Sequence, residues 1–332
     1  MPALRRTGGS AARRVLSGIV LATALIFQIS GAQADDLERI REQALVLLNQ
    51  SRKEHKLPPL VLEAKLNKAA QGHASDMLKR KYFAHSSPEG KTTADRYKQA
   101  GGSKWLMTAE NIYKADHTPP PITDGILKRL QEGWMNSPGH RKNILLRGIT
   151  EFGFGIAVDA IGNLYAVQNF AGPGADTAAA GGKAKPIGPV EQMKLVLAAV
   201  NAERKKAGRA PLGADAALTK AAIALLPGKG EDSLSFGKKN ILDLIPAVEG
   251  QSWSTVDVVG AICGGCGTQP VRTDIGMFTS QWIKDEKYRA LLLSAEVTHL
   301  GFTIGVDGAG KKIAIGVFGE KEGHQPLVHG PS

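Results

Sequence analysis

The chain has 332 residues, 42% of them hydrophobic and 22% charged, a composition suited to a globular protein and a length sufficient for two domains of ordinary size. The net charge is +11, yet the lysines are spread along the chain and only 5% of residues are aromatic. The clustered cations and stacking rings that a nucleic-acid groove needs are therefore missing, and nucleic acid is excluded as a partner. The excess charge reads as solubility with some attraction to an anionic wall or membrane surface.

Arg5, Arg6, Arg13 and Arg14 precede an apolar run from Val15 to Ile29, which ends in the small-x-small pattern Ala32-Gln33-Ala34. This predicts a secretory signal peptide over residues 1–34, cut after Ala34. A retained anchor is the alternative, although the run is shorter than the roughly 20 residues a spanning helix needs. Arg13-Arg14 also fits twin-arginine export. The expected location is secreted or periplasmic, with the cell envelope as a candidate partner.

Asp35 and Asp36 open a helix whose Leu37, Ile40, Ala44, Leu47 and Leu48 recur at three and four. A short extended stretch at 60–63 leads to a second helix with Leu66, Ala69, Ala70, His73, Met77 and Leu78 on its apolar side. Tyr82 to His85 leave that helix, 86–90 form a loop, and 92–100 form a third helix closed by Gly101-Gly102. Ala109-Glu110-Asn111-Ile112 comes after a loop. Pro119 to Pro121 break the chain before the helix that carries Trp134. Pro138-Gly139 then predicts a stop and a sharp corner, placing His140 and Arg141 just past a helix end. Phe152 to Val158 and Leu164 to Phe170 read as a β-hairpin. Helices and then a hairpin predict an α+β layer arrangement.

Residues 173–190 are rich in Gly, Ala and Pro and are expected to form a flexible linker. The sequence on its C-terminal side repeats the sequence on its N-terminal side. Val200-Asn201-Ala202-Glu203-Arg204 echoes Leu48-Asn49-Gln50-Ser51-Arg52 and Leu218 to Ala222 echoes Leu66 to Ala70, both at an offset of 152. Trp282, Arg289 and Gly301-Phe302 echo Trp134, Arg141 and Gly153-Phe154 at an offset of 148. The economical reading is a tandem repeat, with a first domain at 35–172, a degenerate second at 191–322 and a tail at 323–332.

Framework positions survive between the copies, whereas polar ones do not. His140 becomes Tyr288, His73 becomes Leu225, no histidine stands near Phe236 to match His85, and Glu110 falls opposite the segment around Ile262. The lost residues mark the candidate site of the first copy. His73, on an apolar helix face, also suits a hydrogen-bonded core histidine.

The motifs Gly72-His73-Ala74-Ser75-Asp76-Met77, Tyr82-Phe83-Ala84-His85-Ser86, Asp95-Arg96, Ala109-Glu110-Asn111-Ile112, Trp134 through Leu146, and Thr150 to Gly155 span residues 41–171. As a set they resemble the CAP superfamily (cysteine-rich secretory proteins, antigen 5, pathogenesis-related 1), in its bacterial SCP-like form. The resemblance implies an α-β-α sandwich with a central cleft holding two histidines and two acids. Three of these positions fall on His85, Glu110 and His140. The fourth falls on Ser137, and Glu132, the nearest acid, points elsewhere on its helix. Asn111, Ser137 and His73 are the expected ligand-contacting neighbours.

Two imidazoles and a carboxylate suit a three-ligand site for Zn2+ or another divalent metal with one position open. They equally suit a water-filled polar floor without metal. The expected function is binding of a lipid, glycan or peptide ligand in this cleft. The rival is a metal-dependent or acid-base hydrolase that uses His85, Glu110 and His140 as catalytic groups. Cys263 and Cys266, the only cysteines, are expected to form a small structural disulfide loop in an oxidising compartment.

Overall fold

The computed structural model describes residues 31–176, 184–228, 233, 234, 236, 241–245 and 252–322. Residues 1–30 of the expected signal peptide, 177–183 of the expected linker and the expected tail lie outside the described residues. Among the described residues no helix is long and apolar enough to cross a membrane.

The first half runs α1 (Gly31–Glu54), β1 (Val61–Leu62), α2 (Ala64–Arg80), α3 (Thr93–Gln99), β2 (Met107–Ala115), α4 (Asp124–Asn136), α5 (Pro138–Ile144), β3 (Glu151–Val158) and β4 (Leu164–Gly172). Its four strands form one sheet in the order β1-β3-β4-β2, with β1 parallel to β3 and the other pairs antiparallel. The alternation in β3 explains the layering. Phe152 and Phe154 point to one face, where Phe154 meets Trp134 of α4 edge to face. Gly153 and Gly155 point to the other, where a Cβ on either would run into the backbone of Leu66 or Ala70 in α2. The glycines thus let α2 lie directly on the sheet. Helices cover both faces, so the expected α+β sandwich of three layers is the fold observed.

The second half has the order α6 (Pro189–Lys206), β5 (Gly213–Ala214), α7 (Ala216–Ala224), β6 (Trp253–Cys263), α8 (Arg272–Lys284), α9 (Glu286–Leu292), β7 (His299–Val306) and β8 (Lys312–Lys321). Its sheet order, β5-β7-β8-β6, and its strand senses match those of the first. Side-chain staples match as well. Arg52, fully buried, donates to the carbonyls of Pro58, Ile144 and Leu146 (2.9, 2.7 and 3.1 Å). Arg204 does the same to Ala210, Leu292 and Ser294 (2.7, 2.6 and 2.9 Å). Asn49 exchanges hydrogen bonds with the backbone of Leu60, and Asn201 with that of Leu212.

Two sequence expectations are corrected. Pro138 does not make an open corner. It occupies the first turn of α5, where its missing N–H costs nothing and its fixed φ favours the helix, so His140 sits on a helix. The counterpart of Glu110 is not near Ile262. Glu110 pairs with Asn169 and Val258 with Val317, at a constant offset of 148, so Val258 is the equivalent residue.

The halves meet at a polar seam. Cys263 and Cys266 are joined, and their loop packs on Trp105 and Met107, just ahead of and at the start of β2. Gly265 N–H donates to the Trp105 carbonyl (2.6 Å) and Gly267 N–H to that of Pro173 (2.8 Å). Asp176 accepts from the backbone and hydroxyl of Thr268 and from Lys312 Nζ (3.1 Å), whose other carboxylate is Asp274 (2.8 Å). Lys312 is wholly buried.

Candidate functional site

The site grows from β2, an edge strand of the first sheet. Alternation sends Glu110 and Ile112 toward α2, and Asn111 and Tyr113 toward α5 and α4. The Glu110 side chain is 3% exposed, and a buried carboxylate must have its lone pairs met. Oε2 accepts from Arg96 Nη2 at 2.6 Å and Oε1 from His85 Nδ1 at 2.9 Å. Asn169, with its amide turned to suit both neighbours, donates to Oε2 (3.1 Å) and accepts from Ala70 N–H (3.2 Å).

Arg96 stands on α3, a helix started by a capping box between Thr92 and Asp95. Its guanidinium also holds the carbonyls of His85 (3.0 Å) and Lys91 (2.7 Å) and the Thr93 hydroxyl (3.3 Å). One side chain therefore fixes both the carboxylate and the backbone of its histidine partner. The His85 imidazole is 58% exposed. With Nδ1 on Glu110, the ring is oriented so that Nε2 points away from the carboxylate.

His140 is half-buried on α5. Burial, and then the nearby His85, push its pKa below the usual imidazole value. Asn111, fully buried, supports α5 from beneath. Its Nδ2 donates to the His140 carbonyl (3.2 Å) and to Gln168 Oε1 (3.0 Å), and its Oδ1 accepts from Asn143 (3.0 Å). Gln168 continues to Gln131 (2.9 Å), and Gln131 to Ser51 (3.0 Å). This buried amide chain escaped sequence reading, because its partners lie 30 to 80 residues apart and carry no apolar period. The one available signal was its replacement in the second half, where the sheet register puts Val259 and Gly316 at the positions of Asn111 and Gln168.

Ser137 caps α5 by position, but its hydroxyl makes no capping bond. His73 is 1% exposed, bonds the Ala84 carbonyl through Nε2 (3.0 Å) and lies 3.9 Å from Glu110 Oε1. Burial is the largest influence on it and lowers its pKa; Glu110 works in the opposite direction. The structure thus brings His85, Glu110 and His73 together, and Asn111 ties the backbone of His140 to the strand that carries Glu110.

As metal donors, the His85 Nε2 and the His140 imidazole are open, whereas Glu110 is committed to Arg96 and His85. A guanidinium 2.6 Å from its carboxylate opposes direct coordination of a cation there. Among the described residues no group of three or more His, Cys, Asp or Glu side chains is arranged to hold a metal ion. Of the expected donors, His85 Nε2 and the His140 ring are not committed to a hydrogen bond among the described residues, and Glu110 orients His85 from behind.

Comparison with known proteins shows what the first half is similar to. A family model, the cysteine-rich secretory protein family (CAP), matches residues 45–170. The chain is 31% identical over 154 residues to the uncharacterized protein YkwD of Bacillus subtilis (strain 168), covering 46% of this chain and 56% of that one. It is 32% identical over 130 residues to the uncharacterized membrane protein YlbC of the same organism, covering 39% and 33%. The match thus spans about half or less of each relative. Among solved structures it resembles an extracellular protein containing a SCP domain from Bacillus anthracis str. Ames, at 32% identity over 40% of each chain and a TM-score of 0.34. The stretch from 45 to 170, which carries the motifs named above, thus matches the cysteine-rich secretory protein (CAP) family.

Proposed function

We propose that the protein is exported and that its first half binds a lipid, glycan or peptide ligand in the cleft flanked by His85 and His140. The second half is a degenerate copy of the same domain that serves packing or protein contact. One observation carries the binding reading: a buried, Arg96-held Glu110 aims the exposed His85 ring, and the second half has Val258 and Tyr288 where Glu110 and His140 stand. Export rests on the N-terminal arginines, the apolar run and the Ala-x-Ala pattern. A divalent cation held by the two imidazoles would add a Lewis-acid contact for an oxygen of the ligand.

An imidazole anchored at Nδ1 by a carboxylate is also the arrangement of a general base. That geometry keeps the hydrolase reading as the second one. Retention of extracted lipids, wall glycan fragments and peptides on the full chain tests the first. Retention should fall about tenfold in His85→Ala and in His140→Ala, and unchanged retention in both would reject the cleft. Turnover of a wall or peptide substrate, abolished by His140→Ala, would move the assignment to the hydrolase.

A further inference from the structure

Between α2 and α3 lies a concavity of about 510 Å³, walled on one side by the loop 87–91; its lining includes His73, Arg96 and the carboxylates Asp76 and Glu89, but neither His85 nor His140. That size suits a small molecule. Gly72, midway along α2, lines it. A Cβ there would meet nothing within 4 Å, and its backbone is not left-handed. A glycine inside a helix weakens it, and no neighbour requires this one. What the glycine does, together with Ala69 and Ala100, is keep the concavity open.

The charges around it are unevenly matched. Arg80 is satisfied by Glu89 (2.6 Å) and Asp76 (3.5 Å), and Arg96 by Glu110 (2.6 Å). Lys68 and Lys91 also line the space, and neither has a carboxylate partner among the described residues. Lys91 reaches only Gln99 Oε1, at 3.5 Å. Arg96, whose side chain is nine-tenths buried, keeps its Nε without a hydrogen-bond acceptor. Ser87 and Gln99 add neutral hydrogen-bonding groups to the rim.

We propose that this concavity is a separate binding site for a polar, sugar-sized molecule carrying an anionic oxygen group, a phosphate or a carboxylate, with Lys68 and Lys91 as its counter-charges. Lysines serve either anion as point charges. The site shares Arg96 and His73 with the network behind His85, so its test uses the lysines, which that network does not contain.

The test is titration of the full chain with glucose 6-phosphate, glucuronate and uncharged glucose, monitored by calorimetry and by backbone amide shifts. At least one anionic sugar should bind about tenfold or more tightly than glucose, and the comparison of the two identifies the anion. Shifts should centre on Gly72 and Lys91. Affinity should fall about tenfold in the Lys68→Gln/Lys91→Gln double variant, which alters only exposed side chains, and in Gly72→Leu, which fills open space. No preference for the anionic sugars, shifts centred on His85 and His140, or binding indifferent to the lysine pair would each overturn the proposal. Should Gly72→Leu fail to fold, the lysine pair alone decides.

Discussion

Arg96 ties Glu110 to the backbone of His85, so the exposed imidazole owes its orientation to a side chain on α3. Removing one partner of a buried ion pair strands the other. Arg96→Ala is therefore expected to cost roughly 3–5 kcal/mol in urea unfolding, whereas His85→Ala, at an exposed end of the network, should cost about 1 kcal/mol or less. His73 and His140 give a pH dependence of defined sign. Burial lowers both pKa values, so the unfolded chain takes up protons that the folded one resists. Their stabilising contribution is present above the unfolded imidazole value of about 6.5 and fades as pH falls through the lowered folded values. The urea midpoint should drop between neutral and mildly acidic pH, and His73→Gln should flatten that drop. At this scale the pairing of His85 with Glu110 joins two residues that both the motifs and the comparison of the two halves single out. Arg96 was visible only as half of Asp95-Arg96. Nothing local told that its partners were a carboxylate 14 residues away and a carbonyl 11 residues away.

At the level of elements, the helical and alternating periods were legible wherever one face is buried, as in α1, α2 and β3. The stop at Ser137-Pro138 was legible but the helix beyond it was not, because proline ends one helix and begins the next with equal ease; only the backbone after it distinguishes the two. The staple that holds α5 shows the complementary blind spot. Asn49 and Arg52 recur as Asn201 and Arg204, which announces a shared role, but the carbonyls that Arg52 secures at Ile144 and Leu146 come from about 90 residues away. Replacing Arg52 with Met should leave those carbonyls short of donors and cost about 2–4 kcal/mol. Arg204→Met should cost a similar amount. If calorimetry resolves two transitions, the first variant should lower one and the second variant the other.

Across the whole chain, apolar clusters made by described residues draw on one half at a time, such as Met77, Ile112 and Tyr165 in the first and Val196, Phe278 and Trp282 in the second. A piece covering residues 35–175 is therefore expected to fold by itself and melt cooperatively, and aggregation of that piece would mean the halves complete each other. The seam between them consists instead of backbone hydrogen bonds, the Cys263–Cys266 loop packed on Trp105 and Met107, and one ionic cluster, and Pro173 and Asp176 in it lie where composition alone suggested a spacer. Asp176 comes only a few positions after β4, yet Thr268, Gln269 and Lys312 of the other half supply the bonds to its side chain. The covalent order of the chain and the ownership of its residues thus disagree by a few positions. A C-terminal fragment begun at 184 would seal an ammonium inside with Asp274 as its sole counterion, whereas one begun at 173 carries its own neutraliser. Anyone excising that fragment should find the longer version melting higher, and the place to cut is set by a carboxylate rather than by the end of a strand.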